Sequence, residues 1–142
     1  MAQINPYLNF NGNCEEAFNF YKSVFGGEFT DFDRFKDTPA EYQIPGVDGN
    51  LVMHVSLPIG DGSILMGSDS PEVMGGVTPG TNCHLSLQTE DAGETDRLFN
   101  ALSAGGSVTM PLEETFWGAR FGMFVDQFGI NWMINQAGGA AE

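Results

Sequence analysis

The sequence predicts an α+β protein of two tandem β-α-β-β-β modules, the first over about residues 1–70 and the second over about 80–137, folded as one domain. Three observations carry this. Apolar residues alternate with a period of two in several short stretches, the pattern of half-buried strands. Two stretches switch to helical spacing, and each is followed by a glycine pair, Gly26-Gly27 or Gly105-Gly106. The order is written twice: an offset of 79 carries Gly26 onto Gly105, Phe20 onto Phe99, Leu8 onto Leu87 and Asn5 onto His84.

The first strand is read over residues 4–10, with Ile4, Pro6, Leu8 and Phe10 on one face and Asn5, Tyr7 and Asn9 on the other. Asn13 offers a helix N-cap, and Glu15 and Glu16 sit where the helix dipole favours acids. Ala17, Phe18, Tyr21, Val24 and Phe25 form the apolar stripe. Residues 50–57 read as a strand, Gly60-Asp61-Gly62 as a turn and residues 63–68 as another strand. In the second module Cys83, Leu85 and Leu87 alternate with Asn82, His84, Ser86 and Gln88. Asp91 and Glu94 have capping-box spacing, and Leu98, Phe99 and Leu102 follow as the stripe. Residues 118–125 and 130–135 read as strands joined by a turn over 126–129.

In these back halves an offset of 67 carries Gly62 onto Gly129 and Met66 onto Met133. The fall from 79 to 67 leaves module one about 12 residues longer, and the Pro- and Gly-containing stretch 37–49 takes up the excess as a long loop, often a functional feature. Residues 70–76 read as a flexible linker. In both first strands the face away from the helix is polar. Two such sheets side by side would enclose a polar cavity; otherwise these residues simply face solvent.

Composition narrows the partners. Five Lys and Arg against 19 Asp and Glu give a formal net charge of −14. Such a surface repels phosphate backbones and anionic lipid, so neither nucleic acid nor a membrane is an expected partner. No apolar run approaches the ~18 residues of a membrane span, and the start of the chain predicts no signal peptide. Cys14 and Cys83 make no disulfide framework, which fits a reducing cytoplasm.

Three segments carry a resemblance to a known family: residues 6–17 (PYLNFNGNCEEA), 63–69 (SILMGSD), and 114–122 (ETFWGARFG) running into 125–135 (VDQFGINWMIN). With the duplicated plan they resemble the vicinal-oxygen-chelate superfamily of glyoxalase I, extradiol dioxygenases and bleomycin-resistance proteins. More narrowly they resemble its PhnB-like branch, often labelled demethylubiquinone methyltransferase-like. The resemblance implies a glyoxalase-like fold of mixed, curved sheets around a cavity, and a homodimer. It also implies a divalent metal held by His, Gln or Glu in the first and last strands of each module. Carried over by the repeat, those places are Asn5, Met66, His84 and Met133, of which only His84 matches. Thioethers suit soft Cu(I), not hard divalent ions, and one imidazole with one amide is too few for a catalytic zinc. No metal or other cofactor is therefore expected, with a divalent metal as the alternative. No Gly-rich strand-to-helix turn supports the methyltransferase label.

The candidate catalytic residues are His84 and Glu114, with His54 as a further base or ligand. Each is open to a plainer reading: a histidine bonded across strands, or a solvated acid. The candidate ligand-binding residues are Asn5, Tyr7, Met66, Ser86, Trp117, Arg120 and Met133. Phe116 and Trp117 read as ligand walls, dimer anchors or core; Arg120 reads as an anion holder or the partner of a local carboxylate. Cys14 lies near a helix N-terminus, where a thiolate is favoured, and Cys83 reads as a small core residue. The expected function is small-molecule binding without the metal quartet. The alternatives are a metal-dependent lyase, isomerase or dioxygenase, and a metal-free acid–base enzyme.

Overall fold

A computed structural model describes residues 2–60 and 62–137; Asp61 of the expected glycine-flanked turn lies outside them. The chain divides into two compact units, residues 1–78 and 79–142. In the first, β1 (Tyr7–Phe10), α1 (Cys14–Phe25), β2 (Asp31–Arg34), β3 (Val52–Ile59) and β4 (Ser63–Asp69) follow in order. The second repeats them as β5 (Leu85–Thr89), α2 (Ala92–Ser103), β6 (Ser107–Glu114), β7 (Arg120–Val125) and β8 (Asn131–Gln136). The sheets run β1-β4-β3-β2 and β5-β8-β7-β6, an identical topology. In each, the first strand is parallel to the last and the other pairs are antiparallel.

Across β1-β4-β3 and β5-β8-β7 the register repeats position by position. Tyr7 pairs with Met66 and Ser56 with Met66 in the first sheet; Ser86 pairs with Met133 and Met123 with Met133 in the second. Both offsets read from the sequence therefore hold in space.

Each helix covers one sheet face. In module one Leu8, Phe10, Phe18, Tyr21, Val55 and Leu57 are buried together, and Phe18 meets Tyr21 edge-on at 5.5 Å. In module two Leu98, Phe99, Leu102, Phe124, Trp132 and Ile134 form the core, with Phe99 edge-on to Phe124 at 5.2 Å. A glycine makes room for an aromatic ring in each. A Cβ on Gly67 would lie 2.5 Å from Phe18 Cε1, and one on Gly122 would lie 2.7 Å from Phe99 Cε2.

Several boundaries differ from expectation. The first strand starts at Tyr7, leaving Ile4 97% exposed. β5 starts at Leu85, so His84 precedes the strand and Cys83 is exposed rather than a core residue. Asn13 occupies the α1 N-cap position, but its side chain makes no capping bond. Buried Asp69 does that work instead: its Oδ1 accepts from the Gly12 and Cys14 N–H groups at 3.0 and 2.9 Å, and its Oδ2 from Val52 N–H at 2.8 Å. Asp91 does cap α2, accepting from Glu94 N–H at 2.8 Å.

The linker is tied down rather than loose. Asn11 donates to Val77 O at 2.9 Å and accepts from Val77 N–H at 2.7 Å, and Ser70 Oγ donates to Gly76 O at 3.2 Å. The long 37–49 stretch is also ordered, entered through one short 3-10 turn, Phe35–Asp37, and containing another, Ala40–Tyr42. No helix among the described residues is long and apolar enough to cross a membrane.

Candidate functional site

Cross-strand partners point to the same side of a sheet. On the helix-free face of the first sheet the register therefore sets Tyr7 (β1), Met66 (β4) and Ser56 and His54 (β3) beside Asp31 and Asp33 (β2). Three of these are joined. The Tyr7 hydroxyl and His54 Nδ1 share a hydrogen bond at 3.2 Å, and His54 Nε2 and Ser56 Oγ share one at 2.9 Å. Ser56 is 5% exposed, so the inner end of this chain is sheltered while Tyr7 reaches solvent. A neutral imidazole has one donor and one acceptor nitrogen. A Tyr7 hydroxyl donating to Nδ1 leaves Nε2–H to donate to Ser56, and the reverse tautomer reverses both bonds. The arrangement can hold a proton at either ring nitrogen and pass it along the chain.

The helix-free face of the second sheet differs in chemistry. Ser86, Met133, Met123 and Met110 lie across it in register, followed by Gln88, Asn135 and Phe121. Asn135 Nδ2 donates to Gln88 Oε1, and Gln88 Nε2 to Ser86 Oγ, both at 3.2 Å. Phe116 and Trp117 occupy the turn between β6 and β7 rather than a strand start; they are 97% and 56% exposed and meet edge-on at 5.0 Å. Trp117 also meets Phe121 at 6.2 Å.

The remaining sequence candidates are scattered. Arg120 pairs with Asp96 of α2 at 2.7 Å and donates to Gln136 Oε1 at 3.0 Å, the local carboxylate reading of that residue. Glu114 is exposed on β6, opposite Arg120 in register. His84 is half-buried and makes no hydrogen bond among the described residues. Asn5 is half-buried two residues before β1. Cys14 is no nucleophile: burial first, then the neighbouring Asp69 and Glu15 carboxylates, push its thiol far above the ordinary range. Glu15 moves the other way. Arg34 donates two bonds to it, at 2.9 and 2.8 Å, and holds its carboxyl below the usual value against a smaller opposing effect of burial.

Sequence reasoning weighed His54 alone and missed its chain with Tyr7 and Ser56. His54 and Ser56 alternate onto one face, but a bulge just before them breaks the alternation that leads into the pair, so the pattern of Val52-Met53-His54 does not show which face that is. The β2–β3 register jumps from Asp33 opposite His54 to Arg34 opposite Val52, leaving Met53 unpaired.

Residues 3–134 match the model of the Glyoxalase/Bleomycin resistance protein/Dioxygenase superfamily, and the chain belongs to that superfamily. Its PhnB-like character shows in the structure of the PhnB protein from Bacillus cereus, 27% identical, covering 96% of this chain and all of that one at a TM-score of 0.72. The structure of protein PA1353 from Pseudomonas aeruginosa is 43% identical over 97% of this chain and 99% of its own, at a TM-score of 0.86. Protein YjdN of Escherichia coli is 30% identical over 93% of each chain.

The superfamily's metal does not fit the residues present. Two thioethers, an amide and one imidazole, the groups at the four family places, are a poor donor set for a hard divalent ion. Among the described residues no three His, Cys, Asp or Glu side chains converge.

Proposed function

We propose that this chain binds a small molecule on the helix-free faces of its sheets without the superfamily's metal quartet. The observation carrying the reading is the donor set itself: Met66 and Met133 hold equivalent places on β4 and β8, in register with Tyr7 and Ser86. On that reading Asn5, Tyr7 and Met66 contribute contacts in the first module, and Ser86, Trp117 and Met133 in the second. The chain works as a homodimer, the assembly the family resemblance implies. Two unpaired cysteines and the acidic surface suit a reducing cytoplasm.

Elemental analysis of untagged protein, with thermal-shift titration by zinc, manganese, nickel and iron(II), tests this. Metal well below one equivalent per chain and no shift are expected. One equivalent that is lost in His84→Ala would sink the reading and favour a metal-dependent lyase, isomerase or dioxygenase.

The Tyr7–His54–Ser56 chain favours a second reading, acid–base catalysis without metal, with His54 rather than His84 or Glu114 as the proton carrier. Its signature is turnover with a bell-shaped pH profile that is indifferent to chelator and lost in His54→Gln.

A further inference from the structure

The stretch 37–49, by which module one exceeds module two, is held in one shape by its own bonds. Lys36 N–H donates to Gly49 O at 3.0 Å, and Phe35 N–H to Leu51 O at 3.0 Å. Gln43 Nε2 donates to Thr38 O at 2.8 Å. Gly49 lies so close to Lys36 that a Cβ there would be 2.9 Å from Lys36 Cβ. From the other side the β3 bulge frees Met53 from the strand pairing, and its sulfur accepts from Thr38 Oγ1 at 3.1 Å. Between loop and bulge lies a pocket of about 200 Å³ with Phe35, Tyr42, Ile44, Val47 and Met53 in its lining.

We propose that this pocket is a binding site for a small, uncharged, largely apolar molecule of about one six-membered ring, carrying at most one polar group. Size sets the scale. A dry cavity of about 150 Å³ takes benzene, and drug-sized sites start near 300 Å³. Chemistry sets the class, because the lining is mostly apolar and its side-chain donors are partly bonded within the protein. The Lys36 ammonium bonds Asn50 Oδ1 at 3.2 Å, Gln43 Nε2 donates to the Lys36 and Thr38 carbonyls, and the Thr38 hydroxyl donates to Met53. A phosphate would find a single ammonium among the lining residues, and a polyol would lay most of its hydroxyls against the apolar walls of Phe35, Ile44, Val47 and Met53. The Tyr42 hydroxyl makes no hydrogen bond among the described residues and can meet one polar group on the ligand. Tyr42 and Ile44, 71% and 42% exposed, leave apolar surface for a ring to cover. Because the loop is already folded, little ordering is needed when the ligand enters. The site uses residues 35–53 alone and stands whether or not the sheet faces bind anything.

Phenol titrated into ¹⁵N-labelled full-length protein tests this, with glycerol as a wholly polar comparator of similar size. Saturable amide shifts over residues 35–53 are expected with phenol and none with glycerol. Val47→Trp, which fills the pocket, and Ile44→Asp, which puts a charge in its wall, should each weaken phenol by at least about tenfold. Unchanged resonances in α1, β1 and β4 verify that module one of each variant is folded, and Ile44→Asp carries the test alone if Val47→Trp is not. No saturation by phenol, equal binding of glycerol, shifts centred on Tyr7 or Met133, or phenol binding indifferent to the substitutions would each overturn the proposal.

Discussion

Asp69 ends β4, yet its carboxylate serves two other elements, the entry to α1 and the start of β3. Buried, it is stable there because backbone N–H groups surround it. Asp69→Ala leaves those donors without an acceptor and should lower unfolding stability by about 2–4 kcal/mol, read by urea denaturation. Asp126 plays a comparable part in module two, accepting from Phe128 N–H, Ile130 N–H and the Trp132 indole. At this scale the sequence was hard to read. The local signal pointed to Asn13 as the cap, because a capping box is a short-range pattern. The actual acceptor comes from 55 residues away. The same holds for the bond of His54 to Tyr7, which comes from β1 across β4, while the bulge at Met53 obscures the face of β3 on which His54 lies. Cys83 failed for a simpler reason: strand alternation was extended two residues past where the strand begins.

Among the elements, the fit of helix to sheet rests on one glycine per module. They do not occupy equivalent places: Gly67 is on β4, whereas Gly122 is on β7. Gly67→Ala would push a methyl against Phe18, which is wholly buried, and against the Leu8 carbonyl. A loss of about 1–3 kcal/mol is expected, with the native spectrum retained. The Glu15–Arg34 pair ties α1 to β2 and makes a pH prediction. The Glu15 carboxyl is held down in the folded chain, so the pair stabilises above the ordinary Glu pKa of about 4.3 and is lost as pH falls through the folded value. Arg34→Ala should therefore destabilise at pH 7 and flatten the acid limb of a stability–pH curve. Helices, hairpins and their order were legible because apolar periodicity and glycine pairs are local. The second strand of each module was not located. β6 is exposed along most of its length, carries Pro111 and slips register twice, as an edge strand does, so it shows no clean alternation.

For the whole molecule, the repeat was the most informative signal, because two offsets carry the elements of one module onto those of the other. The assembly was not legible in this way, since a buried interface and a core use the same residue types. Met110, Phe116 and Trp117 are exposed on β6 and its following turn, apolar surface that an isologous contact would cover. Light scattering should return twice the 15.3 kDa chain mass. A mass of one chain would remove the homodimer.

The doubled register also bears on how such a protein can change. In a ring or pair of identical single modules, every substitution is made in all copies at once, and a histidine must face wherever its twin does. Writing the module twice in one chain lifts that constraint. Position 54 keeps an imidazole while its counterpart 121 holds a phenyl ring, and Ser56 is answered by Met123. One half sets a histidine and a serine where the other sets a phenylalanine and a methionine, on two sheets with the same topology. Each half can thus be altered without disturbing the chemistry of the other.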